Sequence, residues 1–301
     1  MYEQIAANKR KTILLMLLAM VFLGAIGYVV GYWRGDPTVW VVVAVLVAVG
    51  QALLSYFAGD RIVLASARAR EVGPEEQPRL HNIVEGLAIA AGVPKPRVYV
   101  VPEQAPNAFA TGRDPEHSSI AVTQGLLDAM NRVELEGVIG HEMSHVVDRD
   151  ILYGTIIAVI VGAVVLLSEF FLRMMWWGGL GGRRGHDRGG GPVEAVLGLV
   201  GIALMILAPL FGQLIQLSVS RNREYLADAQ GALLTRYPPG LIGALKKIAA
   251  SPTAMRSANN ATAHLWLSQP SRIEGEKMGT IEKLFSTHPP IEERIRRLEE
   301  M

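Results

Sequence analysis

The chain has 301 residues, half of them hydrophobic, and a mean hydropathy of +0.27, which is more apolar than ordinary water-soluble domains are. Its 29 basic and 28 acidic residues nearly cancel, and this balance argues against a surface built to bind nucleic acid. The absence of cysteine excludes disulfides, thiolate catalysis and Cys-ligated metal centres, so a metal site must use His, Asp or Glu.

Two apolar runs near the amino terminus predict membrane-spanning helices. Residues 12–33 contain no charged residue over 22 positions, and residues 37–59 repeat this pattern over 23. At a rise of about 1.5 Å per residue, each run crosses a hydrocarbon core of roughly 30 Å. The short break at residues 34–36 permits only a tight helical hairpin. A removable signal peptide is the alternative for the first run, but the second run follows at once, which favours a retained anchor.

The polar segment that follows predicts a small α+β domain. Apolar residues recur at helical spacing in residues 76–91. Strands are expected at residues 97–101, 107–111 and 119–122, before a short helix at residues 124–130. Helices that pack on a small sheet of this kind form an α+β domain.

The next predicted helix carries the motif HEMSH, residues 141–145. Asn131, with a glutamate three positions later, is a helix-start signature that places the motif on a helix. His141 and His145 then project from one side, one turn apart, so their ring nitrogens can converge on a single metal ion. Glu142 lies beside them, about 100° further around the helix. This pattern is typical of a hydrolytic zinc site.

Two further apolar runs, residues 151–168 and 195–220, flank a loop rich in Gly and Arg at residues 178–191. Both runs are long enough to span a bilayer, although a buried or re-entrant hairpin is the alternative. Basic residues at positions 9–11 and just beyond residue 60 favour a cytoplasmic catalytic segment. The arginines of the loop would then lie outside, against the same rule.

A catalytic zinc needs three protein ligands, so a third acid or histidine must come from elsewhere. Glu224 follows the fourth apolar run, and an even number of crossings returns it to the membrane face that carries His145. Asp228 lies one turn later, where it can accept the second ring N–H of a ligating histidine. The alternative for both acids is a solvated helix with Arg221 and Arg223 as their ion-pair partners.

Four motifs spread over the chain resemble those of the HtpX family of membrane metalloproteases. They are NAFATG at residues 107–112, HEMSH at 141–145, SRNREYLAD at 220–228 and STHPP at 286–290. The order of apolar runs and motifs is also similar to that family, which is related to CAAX prenyl endoproteases. The resemblance implies a zinc endopeptidase of the inner (plasma) membrane, with one zinc per chain and its site facing the cytoplasm. Its substrates would be misfolded or damaged proteins, especially membrane proteins.

By motif matching, the resemblance implies that His141, His145 and Glu224 are the zinc ligands and that Glu142 is the general base for a zinc-activated water. These roles agree with the assignments from spacing.

The resemblance also implies a substrate site on an edge strand, whose free backbone groups can pair with any extended chain. The residues concerned are Asn107, Ala108, Phe109 and Ala110. The resemblance also places His288 near the active site. We expect His288 to be the catalytic donor to the oxyanion, with Arg221 or Arg223 as the alternatives. The alternatives are a turn residue for Asn107 and a residue that orders the start of the last helix for His288. The remaining histidines are expected to be surface or satisfied groups: His81, His117, His186 and His264.

The predicted fold is an α-helical integral membrane protein with four candidate transmembrane helices and a mainly helical α+β, zincin-like catalytic domain containing a small sheet. Its segments are an amino-terminal transmembrane hairpin (1–64), a first catalytic part (65–150), a second hairpin with its loop (151–220) and a second catalytic part (221–301). A CAAX-type prenyl-protein protease is one alternative, although four spans are few for a large membrane chamber. A non-catalytic membrane chaperone or adaptor is another, although it would not need Glu142 beside the metal.

Overall fold

The computed structural model describes residues 2–163, 221–255, 262–268 and 289–301. The helices in these ranges are α1 (Tyr2–Arg34), α2 (Pro37–Ser66), α3 (Pro78–Ala91), α4 (Gln124–Ala129), α5 (Arg132–Val147), α6 (Ile151–Ala163), α7 (Arg221–Thr235), α8 (Pro238–Ala250) and α9 (Ile291–Glu299). The strands are β1 (Arg70–Glu71), β2 (Arg97–Val101), β3 (Ala108–Asp114) and β4 (His117–Thr123). The fourth apolar run, the Gly/Arg-rich loop with His186, and His288 lie outside the described residues.

Helices α1 and α2 form the predicted helical hairpin. Gly35 adopts a left-handed φ of 86° between them, and the Asp36 side chain then accepts a hydrogen bond from Val39 N–H to cap α2. Where the described residues are concerned, α2 is the one helix both long and apolar enough to cross a membrane. Shorter apolar helical segments are Thr12–Ala25 and Ile151–Ala163. The other three predicted spans therefore stay predictions.

The sheet is mixed, with the strand order β1-β2-β4-β3. Strand β2 has the predicted bounds and runs parallel to β4, whereas β3 is antiparallel to β4 and lies at the sheet edge. Strands β3 and β4 extend further than predicted, because they stay paired up to the tight turn between them. The residues near this turn are polar and do not alternate with apolar ones, so the sequence pattern did not reveal them. In that turn the Asp114 carboxylate accepts a hydrogen bond from the backbone N–H of His117.

Both faces of the sheet are covered. Ile120 and Val122 of β4 point into a core shared with helices α3 and α5. Between them, Ala121 points to the opposite face, where Val63 of α2 and Ala158 of α6 pack. The carboxyl-terminal end of α2 therefore packs directly on the sheet.

Helices α5 and α7 cross at two glycines. A Cβ atom added to Gly231 would lie 2.7 Å from the backbone nitrogen of His141 and 3.0 Å from the carbonyl carbon of Gly140. Because the backbones meet this closely, α7 is held against the helical turn that carries the first motif histidine.

Gly231→Val is expected to lower the thermal unfolding midpoint of the detergent-purified protein. Overpacking of a tight contact costs about 1–3 kcal/mol, which exceeds the few tenths gained from better helix propensity. Gly86→Val is the matched control, since Gly86 lies on an exposed helical position with open space around it. Equal midpoints for the two variants would show that the α5–α7 contact does not require glycine.

Candidate active site

Helix α5 begins with the predicted capping box. The Asn131 side chain accepts a hydrogen bond from Glu134 N–H at 3.0 Å, and the Glu134 carboxylate accepts one from Asn131 N–H at 2.8 Å. The helix is buried over most of its length, so His141 and Glu142 are each only 1% exposed. The motif therefore lies on a largely buried helix.

Three potential metal ligands converge above α5. His141 Nε2 and His145 Nε2 lie 3.1 Å apart, and the Glu224 carboxylate oxygens lie 3.8 Å and 3.7 Å from these two nitrogens. Two imidazole nitrogens on a tetrahedral zinc, each about 2.05 Å from the ion, would be separated by about 3.3 Å. The arrangement therefore fits a zinc ion, and it joins two residues of α5 with one from α7.

Each motif histidine donates its other ring N–H to a carboxylate. His141 Nδ1 lies 2.9 Å from Asp228 Oδ1, and His145 Nδ1 lies 3.0 Å from Asp150 Oδ2. A histidine whose Nδ1 donates in this way can present its Nε2 to a metal ion, which is the form that metal binding needs. Asp228 occupies the position expected from its spacing to Glu224.

Asp150 was not predicted. It lies just beyond the end of α5, where Arg149 adopts a left-handed φ of 55° and turns the chain back toward His145. The sequence signal was its distance of only five residues from a motif histidine, but the turn that makes the contact is not visible in the sequence.

The electrostatic environment favours a cation. Burial lowers the pKa of His145, but Asp150, Glu224 and Glu142 outweigh this effect and raise that pKa to about 10. Since these carboxylates hold a proton so strongly on His145, their field would also stabilise a metal cation at the same place.

Glu142 is buried next to the three potential ligands but is not one of them. Burial raises the pKa of Glu142 to about 7. Among the described residues its Oε1 atom has no hydrogen-bond partner, although it is buried. A buried acceptor without a partner is costly, so this oxygen is the natural contact for a water or a substrate group.

Residues 262–268, which we call the strap, cover the site next to β3. Leu267 N–H donates to Ala108 O at 2.8 Å. The Asn107 carboxamide donates to Ser268 O at 2.9 Å and accepts from Ser268 N–H at 3.2 Å. In this structure Asn107 therefore holds the strap, and its carboxamide is not open to substrate.

Strand β3 reaches the site at one of its predicted binding residues. Thr123 N–H donates to Asn107 O. Because backbone groups along a strand point alternately toward and away from the neighbouring strand, those of Phe109 point toward β4 and those of Ala110 point away from it. Ala110 lines the pocket together with Glu142. The Phe109 ring instead packs on Trp266, with 4.7 Å between the ring centroids. The structure thus brings Ala110, but not the Phe109 side chain, to the pocket.

Two residues of the site region had not been associated with it. His264 of the strap lines the pocket, and its Nε2 lies 3.0 Å from Gly154 O, so this histidine lies inside the site. Arg294 of α9 is fully buried and forms a two-bond ion pair with Asp228. Neither residue has a sequence spacing that links it to the motif.

Comparison with known proteins decides the family. The sequence model of peptidase family M48 matches residues 74–301. The chain belongs to peptidase family M48. This M48 peptidase is 48% identical over 302 residues to a Protease HtpX homolog of Caldanaerobacter subterraneus subsp. tengcongensis, covering all of this chain and 98% of the relative. It is 44% identical over 303 residues to one of Lactobacillus acidophilus, with both chains fully covered.

The structure of Ste24p from S. mikatae has a similar fold. The TM-score is 0.52 at 17% identity, over 99% of this chain and 67% of that one. The resemblance to the HtpX family is therefore confirmed, and this M48 peptidase is a membrane metalloprotease.

Proposed function

We propose that this M48 peptidase is an integral-membrane zinc endopeptidase of the HExxH-plus-glutamate type that hydrolyses misfolded or damaged proteins, particularly membrane proteins. The observation that carries the proposal is the convergence of His141, His145 and Glu224 within 4.8 Å of one another beside the buried Glu142. These three residues would hold one zinc ion. Bound there, the zinc supplies Lewis-acid activation of water and of the peptide carbonyl.

Glu142 acts as the general base and then as the general acid. Burial raises its pKa, which makes the carboxylate a better acceptor for the proton of the attacking water. The proton passes to the leaving amine nitrogen.

His288 is the proposed donor to the developing oxyanion. Arg223 lines the same pocket and is the other candidate for this role. Asp228 keeps His141 in the ligating tautomer by accepting its Nδ1 proton.

An extended substrate would add to the edge of β3 at Ala110. Backbone pairing of this kind is largely independent of side chains, so selectivity for the cleaved sequence should be low. Because Leu267 already occupies Ala108 O, a substrate that extends beyond Ala110 must compete with the strap for that acceptor. Asn107 can bind substrate only after its bonds to Ser268 break.

The α1–α2 hairpin anchors the enzyme in the bilayer. Its connection to the sheet through Val63 supports a catalytic domain seated at the membrane surface. We place the site on the cytoplasmic face of the inner (plasma) membrane and retain four spans, with the four segments divided at residues 64, 150 and 220. This placement keeps damaged membrane proteins within reach of the site.

The proposal is tested by metal analysis and casein digestion with the full-length protein in detergent. We expect about one zinc per chain, loss of digestion after chelation and recovery when zinc is added back. Preferential cleavage of a farnesylated peptide over unfolded casein would instead indicate a prenyl-protein protease. Zinc-loaded protein that binds casein without cutting it would indicate a non-catalytic adaptor.

A further inference from the structure

Arg294 differs from the other basic residues of α9. Arg296 and Arg297 are exposed and form ion pairs with Glu293 on the helix surface. Arg294 has 0% exposure and points into the protein. A buried guanidinium is tolerated only when a counter-charge and hydrogen-bond acceptors compensate for its lost hydration.

The guanidinium of Arg294 contacts three separate parts of the site. Its Nε and Nη2 atoms donate to the two oxygens of Asp228 at 2.8 Å and 2.6 Å, and Nη1 donates to Leu267 O at 2.8 Å. Nη2 also lies 3.3 Å from His141 Nδ1. One side chain therefore joins α9 to α7 and to the strap, and it lies beside the first motif histidine.

The bidentate contact fixes the plane of the Asp228 carboxylate. A guanidinium fork matches a carboxylate in one orientation, in contrast to the ammonium group of lysine, which binds as a point charge. In the observed orientation, Asp228 Oδ1 also lies 2.9 Å from His141 Nδ1. The direction of the His141 ring thus depends on a carboxylate whose own direction depends on Arg294.

We propose that Arg294 is a positioning residue of the metal site, which holds Asp228 so that His141 Nε2 faces His145 and Glu224. This inference rests on the proposed zinc site. It also means that the last helix of the chain completes the metal site, although it supplies no ligand. The same guanidinium donates a hydrogen bond to the Leu267 carbonyl, so Arg294 contacts both the strap and the metal site.

The experiment measures the zinc dissociation constant of the full-length protein in detergent by chelator competition, together with KM and kcat. Arg294→Met is expected to weaken zinc binding about 10–100-fold, as for other residues that orient a metal ligand. Arg294→Lys should give a smaller loss, since it keeps the charge but not the fork. Arg296→Met, on the exposed side of α9, should bind zinc as the native protein does.

A double-mutant cycle separates positioning from a merely structural role. If Arg294 acts through Asp228, the double variant with Asp228→Asn and Arg294→Met should have the same zinc affinity as whichever single variant binds zinc less tightly. Losses that multiply in the double variant would contradict this route. Saturating zinc should recover kcat in Arg294→Lys without changing KM.

Native zinc affinity in Arg294→Lys and Arg294→Met, even with a lowered unfolding midpoint, would overturn the proposal and leave the zinc site intact. If Arg294→Met does not fold, Arg294→Lys decides the question, because it retains a buried cation beside Asp228. Failure of the native protein to bind zinc would instead overturn the proposed function and this inference together.

Discussion

Glu142→Gln is expected to reduce cleavage of an unfolded protein substrate by about 10²–10⁴-fold, the range that a general acid–base group contributes. Glutamine has nearly the same shape but cannot accept a proton from water. Since burial disfavours the ionised form of Glu142, the neutral amide removes an electrostatic cost, and the variant should fold. Its zinc content should equal that of the native protein, because Glu142 is not one of the converging ligands.

The measurement combines kcat on a fluorogenic casein substrate with metal analysis of the same preparation. Glu136→Gln is the matched control, since Glu136 lies on the same helix and is paired with Arg132 near the surface. Undiminished cleavage by a zinc-loaded Glu142→Gln variant would remove Glu142 from the mechanism.

The parts of the fold that follow from local rules could be predicted from the sequence. The start of α5 rests on a capping box between Asn131 and Glu134, and the end of α3 rests on Gly92 in the left-handed conformation. The hairpin of α1 and α2 rests on the length of two apolar runs. In each case the physical cause lies within a few residues of its effect.

The contacts that complete the site could not be predicted, because they join distant segments. Arg294 lies 66 residues from its partner Asp228. Arg296 and Arg297 each have Glu293 at helical spacing, whereas the residues three and four positions from Arg294 are not acidic. This absence sets the buried arginine apart from the exposed ones, but it does not indicate which distant acid is the partner. The strap is also held over a long distance, since the Asn107 carboxamide, just before β3, donates to Ser268 O across 161 residues.

The sequence is also a poor guide to how an edge strand is used. NAFATG predicts an edge strand, and β3 is one. However, the strap pairs with Ala108 and the Thr155 hydroxyl accepts from Gly112 N–H, so Ala110 lies between two occupied positions. The side chains that cover an edge come from other segments, and alternation within the strand does not report them.

Glu224→Ala is expected to lower zinc affinity by more than the roughly 10–100-fold loss assigned to residues that only orient a ligand. It removes one of the three converging ligands, whereas Asp228→Asn leaves all three present. The variant should fold, because α7 is held to α5 by the Gly140–Gly231 contact and not by Glu224.

Zinc retained after dialysis against a graded chelator series should therefore fall in the order native, Asp228→Asn, Glu224→Ala. Glu292→Ala, an exposed acid on α9, controls for the loss of a carboxylate and should match the native protein. This ranking separates a ligand from a residue behind a ligand, which activity alone cannot do, since both changes reduce cleavage. A fully zinc-loaded Glu224→Ala variant would mean that an acid other than Glu224 completes the site with the two motif histidines.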